Sequence, residues 1–154
     1  MIANVSNEIV GARRPCRRAG ATLVETGVVI GICLIFMFAI FEYGRYVMVR
    51  QIMENAAREG ARQAVVNQTT TTTANIQATV QHYMAGQNLN NLSIQVYEAD
   101  PVTGANIGSW TSTQWGQAIA VDVSGNYQSM LPSFGFLPNT VPVHVKSIMR
   151  SEAN

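Results

Sequence analysis

The sequence predicts an α+β protein with one long N-terminal transmembrane and amphipathic helix, a second short helix, and a small antiparallel β-sheet of about three to four strands. Three observations carry this reading. Residues 26–41 hold no charged side chain, and the apolar pattern behind them continues at three- and four-residue steps to about Val66. A shorter helical pattern covers residues 75–85. Beyond it, three segments alternate apolar and other residues with a period of two, as half-buried strands do.

Size and charge exclude several function classes. A chain of 154 residues, 47% apolar and 12% charged, holds one modest domain and one appendage, so a two-domain enzyme does not fit. A mean hydropathy of +0.10 is high for a soluble domain, and the excess is concentrated near the N-terminus. Residues 1–20 set Arg13, Arg14, Arg17 and Arg18 against Glu8, net +3; the remainder sets six basic against eight acidic groups, net −2. Without a basic surface outside this leader, no nucleic-acid partner is expected. Cys16 lies among the arginines and Cys33 inside the apolar run, which argues against an internal disulfide, and His82 and His144 are 62 residues apart. No metal-ligand spacing results, and neither cofactor, metal nor small-molecule substrate is expected.

The first element is the apolar helix. Residues 21–41 are interrupted only by Glu25, and 21 helical residues span about 30 Å, the thickness of a bilayer's hydrocarbon core. Secretory signal peptidase needs small residues after such a run, yet Phe41-Glu42-Tyr43-Gly44-Arg45 follows. Small residues stand before it instead, at Ala19-Gly20-Ala21, so a protease acting there would remove the basic leader and leave the apolar helix attached. Glu25 has two readings. It snorkels to the headgroups, or it pairs with the α-amino group that cleavage after Gly20 would create on Ala21. Such a pair at 4 Å contributes about 4 kcal/mol at an effective dielectric near 20, enough to offset the insertion cost of roughly 2.5–3.5 kcal/mol, and the amine can belong to a neighbouring subunit.

Gly20-Ala21-Thr22-Leu23-Val24-Glu25, behind a basic leader and ahead of an apolar run, resembles the prepilin peptidase site of type IV pilins and pseudopilins. Together with Phe41-Glu42-Tyr43-Gly44-Arg45 and Asn55-Ala56-Ala57-Arg58-Glu59-Gly60-Ala61-Arg62, it is similar to the TadE-like pseudopilins of tight-adherence pilus systems over roughly residues 18–65. Thr26 departs from the bulky apolar residue usual in such proteins. The resemblance implies a pilin-like fold and cleavage between Gly20 and Ala21 by a prepilin peptidase. It also implies partnership with the inner membrane, other pilin or pseudopilin subunits and pilus assembly machinery. The expected organisation is a basic leader, 1–20; a transmembrane helix, 21–41; its amphipathic continuation, 42–66; a Thr-rich linker, 67–74; and a small extracytoplasmic α+β domain, 75–154.

In the amphipathic continuation, Tyr46, Val49, Met53, Ala57, Gly60 and Ala64 share one side, while Arg50, Glu54, Arg58 and Arg62 supply a polar face with a Glu54–Arg58 pair. Ala56, Gly60 and Ala64 form a small-residue column for close backbone approach, either by the protein's own sheet or by another pilin helix. In the second helix, 75–85, Ile76, Val80, Tyr83 and Met84 share the apolar side, His82 faces solvent and Gly86 is the stop.

The strands center on Leu92-Ile94-Val96, Ile119-Val121-Val123 and Val141-Val143-Val145, each apolar on one face, as in a sheet covered on one side and wet on the other. Asp100-Pro101-Val102-Thr103-Gly104 is a turn, 108–116 a loop or irregular strand, and Pro142 places the last strand at an exposed edge. Residues 126–140 read as a crossover in which Met130, Leu131, Phe134, Phe136 and Leu137 cap the core or offer a partner surface. Trp110 and Trp115 read as packing residues.

Asp122, Ser124 and His144 share the wet face, but no nucleophile elbow or phosphate-binding loop accompanies them, so no enzyme is expected. The expected function is a membrane-anchored pseudopilin or minor pilin. The alternative is a permanently anchored single-span periplasmic binding or scaffold protein, which predicts an uncleaved N-terminus. Four arginines within residues 13–18 place the leader in the cytoplasm and the C-terminal domain outside it.

Overall fold

The computed structural model describes residues 18–84, 86, 87, 89–130 and 139–151. Helix α1 runs Arg18–Val66 and α2 Thr73–Tyr83, followed by β1 (Asn90–Ala99), β2 (Asn106–Gly108), a 3-10 turn (Trp110–Ser112), β3 (Ala118–Gln128) and β4 (Thr140–Arg150). The class is α+β, with a four-stranded, antiparallel, curled sheet in the order β2-β1-β3-β4. The chain divides into two compact units, residues 1–37 and 38–154.

The described part of the first unit is helical, and every side chain from Gly20 to Met37 is exposed. Leu23, Val24, Val28, Ile35 and Phe36 are each more than half exposed. A soluble helix would bury such a surface, whereas hydrocarbon solvates it, and helical geometry satisfies the backbone internally. This helix is long and apolar enough to serve as a single-pass membrane anchor.

In the second unit, α1 buries Val49, Met53, Ala56, Ala57, Ala61, Ala64 and Val65, at the three- and four-residue spacing that makes one helical face. These residues meet Ile76 and Val80 of α2 and Ile94, Ile119, Val121, Val123, Val143 and Val145 of the sheet in one cluster. Opposite partners such as Ile94 and Val123, or Val123 and Val145, keep the apolar side chains of three strands on the same face. Glycine at position 60 sets the approach of α2. A Cβ there would stand 2.5 Å from Val80 Cγ2. Gly60→Ala is therefore expected to lower the melting temperature of the full chain in detergent despite alanine's better helix propensity, and to stop doing so in a Val80→Ala background. Equal effects in the two backgrounds would contradict this contact.

Helix α2 begins earlier than its apolar periodicity indicates because the Thr run supplies its cap. The Thr72 hydroxyl accepts from Asn75 N at 3.3 Å, satisfying a first-turn donor. After the helix, Gly86 adopts φ 74°, the left-handed conformation suited to a helix stop. Tyr83 is not on the buried side; it is 48% exposed and stacks edge-on with His82 at the surface.

Several other expectations are corrected. The second sheet face is not simply wet, since Tyr97, Ala99, Ala118 and Ala120 form a small buried cluster there. The turn after β1 folds over this face: Gly104 lies against Ile148, and its carbonyl accepts from Lys146 Nζ at 3.0 Å. Residues 126–128 belong to β3, and Met130 is 78% exposed rather than capping the core. Leu131, Phe134, Phe136 and Leu137 lie outside the described residues, as do residues 1–17 of the leader. Trp110 is buried, whereas Trp115 is 73% exposed. As Pro142 indicates, β4 forms one edge of the sheet.

Candidate functional site

Gly20, Ala21 and Glu25 all lie on α1 with exposed side chains. A Cβ at Gly20 would meet nothing within 4 Å, so this glycine has no packing role among the described residues. Ala21 and Glu25 are four residues apart, one helical turn and about 6 Å along the axis, so they share a face. Among the described residues Glu25 has no ion-pair partner. Thr26 is accommodated in the apolar run because its hydroxyl donates to the Thr22 carbonyl at 2.8 Å, leaving only its methyl to face outward.

The Phe41-Glu42-Tyr43-Gly44-Arg45 segment contains contacts that sequence reading missed. Glu42 and Arg45, three residues apart on one helical face, both reach Tyr127 near the end of β3. The Tyr127 hydroxyl donates to Glu42 Oε1 at 2.6 Å and accepts from Arg45 Nε at 2.6 Å. Arg45 Nη2 donates to the Gln128 carbonyl at 2.6 Å, and its guanidinium lies 4.9 Å from the Tyr127 ring center. Tyr46 adds an edge-on ring contact at 5.6 Å. Burial first, then the Glu42 carboxylate, pushes the Tyr127 phenol above its ordinary value.

Loss of that hydroxyl breaks both charge-assisted bonds, so Tyr127→Phe is expected to destabilise the C-terminal unit by about 1.5–3 kcal/mol in thermal unfolding. The pH dependence has a definite sign. A phenol whose folded pKa is raised contributes stability that is complete below the unfolded value near pH 10 and is lost as pH climbs through the folded value, so the variant should lose stability less steeply there. Equal stability of both proteins at neutral pH would remove Tyr127 from this anchoring role.

Ala56, Gly60 and Ala64 are buried within the second unit. Gly60 faces Val80 and Ile76 of α2 and Val121 of β3. Their side of α1 is therefore occupied by the chain's own helix and sheet. On the opposite polar face, Glu54 pairs with Arg50 at 3.3 Å rather than with Arg58, and Arg62 pairs with Glu59.

Asp122, Ser124 and His144 do share a sheet face, as their positions predict. His144 Nε2 stands 2.7 Å from Asp122 Oδ1, and Asp122 Oδ2 is 3.4 Å from the Tyr97 hydroxyl and 3.9 Å from Lys146 Nζ. Hydrogen bonding with Tyr97 holds the Lys146 ammonium above its ordinary value. Ser124 stands opposite His144 in register, yet no hydrogen bond joins their side chains among the described residues. The arrangement is a cross-strand polar cluster, with the carboxylate shared among a histidine, a phenol and an ammonium.

A second polar network ties the end of α1 to the far end of the sheet. Gln68 Nε2 donates to the carbonyls of Trp110 and Thr113, its Oε1 accepts from Ser151 Oγ, and Trp110 Nε1 donates to Thr73 Oγ1. These bonds explain the burial of Trp110, whose indole N–H needs a partner. Among the described residues, no group of three or more His, Cys, Asp or Glu could hold a metal ion.

Residues 20–62 match the family of TadE-like proteins. No curated protein and no solved structure matches the chain. The matched segment begins at Gly20, includes Glu25, Glu42 and Arg45, and ends two residues beyond Gly60. The similarity to TadE-like proteins therefore lies on the N-terminal helix, the one long and apolar enough to cross a membrane among the described residues.

Proposed function

We propose that the chain is a pseudopilin or minor pilin subunit that acts in assembly of a tight-adherence type IV pilus or a related secretion apparatus. A prepilin peptidase removes residues 1–20, and the mature subunit keeps its apolar helix. The observation that carries this reading is the TadE-like match on a helix whose side chains are all exposed from Gly20 to Phe41. Such a surface suits lipid before assembly and neighbouring subunits afterwards. Glu25 then pairs with the Ala21 ammonium of an adjacent subunit, a partner absent from an isolated chain. The subunit sits in the inner membrane with its N-terminus in the cytoplasm and residues 66–154 outside, and it works with the other pilins and the assembly machinery. Its role is structural.

Two measurements test this. An epitope-tagged chain should appear in sheared surface pili as residues 21–154; its confinement to the membrane fraction in cells that make pili would favour the permanently anchored alternative. A reporter fused after Asn154 should be active only outside the cytoplasm, and cytoplasmic activity would refute the orientation.

A further inference from the structure

The geometry points to a docking site for an extended acidic segment of another protein, which adds as a fifth strand beside β4. The inference goes beyond the pilin reading and does not depend on leader cleavage or polymerisation.

Strand β4 is the outer strand of the sheet over 11 residues, so alternate N–H and C=O groups point away from β3 with no strand among the described residues to receive them. Along this edge runs a surface groove of about 320 Å³, with one wall formed by Arg50, Glu54 and Arg58 of α1 and the other by residues 144–147. Side chains alternate between the two faces of a strand. Four consecutive residues, drawn from both faces of the strand, border this groove, which therefore follows the outer edge of β4.

Devices that normally close a free edge do not close this one. Pro142 stands outside the groove, toward the start of the strand. Lys146, the residue type that usually guards an edge, is folded across the far face toward Gly104 O, at 3.0 Å, and the Tyr97 ring, 5.6 Å from its center. No segment of the second unit pairs with this edge among the described residues.

Charge selects the occupant. The helix wall of the groove sets Arg50 and Arg58 against the single carboxylate of Glu54, which Arg50 engages, leaving a net positive charge, while the Lys146 ammonium is turned to the far face. Arg58 is exposed and has no ion-pair partner among the described residues. Arg50 and Arg58 are eight residues apart on α1, about 12 Å along its axis. Extended chain covers that distance in about four residues, and positions i and i+4 of a strand share a face. An entering strand with carboxylates at i and i+4 meets both arginines on its helix side while its backbone bonds to β4, so main-chain bonds supply affinity and the carboxylate spacing supplies specificity.

The test uses the full chain in detergent micelles and a nine-residue, Thr/Val-based peptide with Glu at i and i+4. The peptide is expected to bind and to slow exchange of the outward-facing amides among residues 144–147 at least tenfold. Replacing both Glu by Gln, or combining Arg50→Glu with Arg58→Glu in the protein, should weaken binding at least tenfold. N-methylation of the peptide's bonding amides should abolish binding while leaving its charge intact, which separates strand addition from simple ion pairing. No binding, equal affinity for the Glu and Gln peptides, equal affinity for the double variant, or unchanged exchange at 144–147 would each overturn the proposal. Protection of the same amides by self-association, without peptide, would overturn it in favour of a second copy of the chain.

Discussion

Gly20→Val is expected to abolish leader removal and to leave the whole population at full length in the membrane. A protease that accepts glycine before the scissile bond at a closely fitting backbone site has no room for a β-branched side chain, and Gly20→Ala should be cut poorly. The structure makes the experiment clean. A Cβ at position 20 would meet nothing within 4 Å among the described residues, so the substitution disturbs no packing there and a processing defect reports recognition rather than folding. Gly27 provides the control, because a Cβ there also meets nothing within 4 Å. Gly27→Val should be processed normally. Mature-sized product from Gly20→Val would sink the cleavage assignment.

The second large effect concerns Glu25. Glu25→Gln should insert at least as well as wild type, since a neutral amide is cheaper in hydrocarbon than a carboxylate, and it should be cleaved normally. It should nevertheless fail to join the polymer. Its carboxylate is exposed, one turn from Ala21, and without an ion-pair partner among the described residues, and the proposed partner is the Ala21 ammonium of another subunit. A charge pair worth about 4 kcal/mol at an effective dielectric near 20 cannot be replaced by one amide hydrogen bond. The ratio of sheared extracellular to membrane-retained protein should therefore fall more than tenfold, or about 1.4 kcal/mol. An unchanged ratio with normal cleavage would leave Glu25 snorkelling to the headgroups without an assembly role.

What was legible in the sequence was set by neighbours within a turn or a pleat. The uncharged run, the three- and four-residue spacing from Val49 to Ala64, and the alternation around Ile94, Val121 and Val143 each report which side of an element is buried, and the structure buries those sides. Composition was legible at Pro142, because a residue without an N–H suits an edge strand. The similarity to TadE-like proteins over residues 20–62 was also readable, since its motifs lie on one continuous helix. What stayed hidden depends on which distant segments the topology brings together. Nothing near Glu42 announces Tyr127, 85 residues away, yet that phenol holds both charged residues of the segment. Trp110 and Trp115 look alike in sequence, and only the Gln68 and Thr73 contacts decide which one is buried. Tyr97 alternates onto the face expected to be wet and is buried there, with Asp122 at its hydroxyl and the Lys146 ammonium over its ring. The Thr run illustrates a third case. Its polarity reads as a linker, while one of its hydroxyls caps a helix.

Intact-mass measurement of the chain extracted from membranes tests the central claim most directly. One species is expected, which has lost residues 1–20 and begins at Ala21. A species retaining those residues, in cells with an active prepilin peptidase, would contradict it and identify a permanently anchored protein instead.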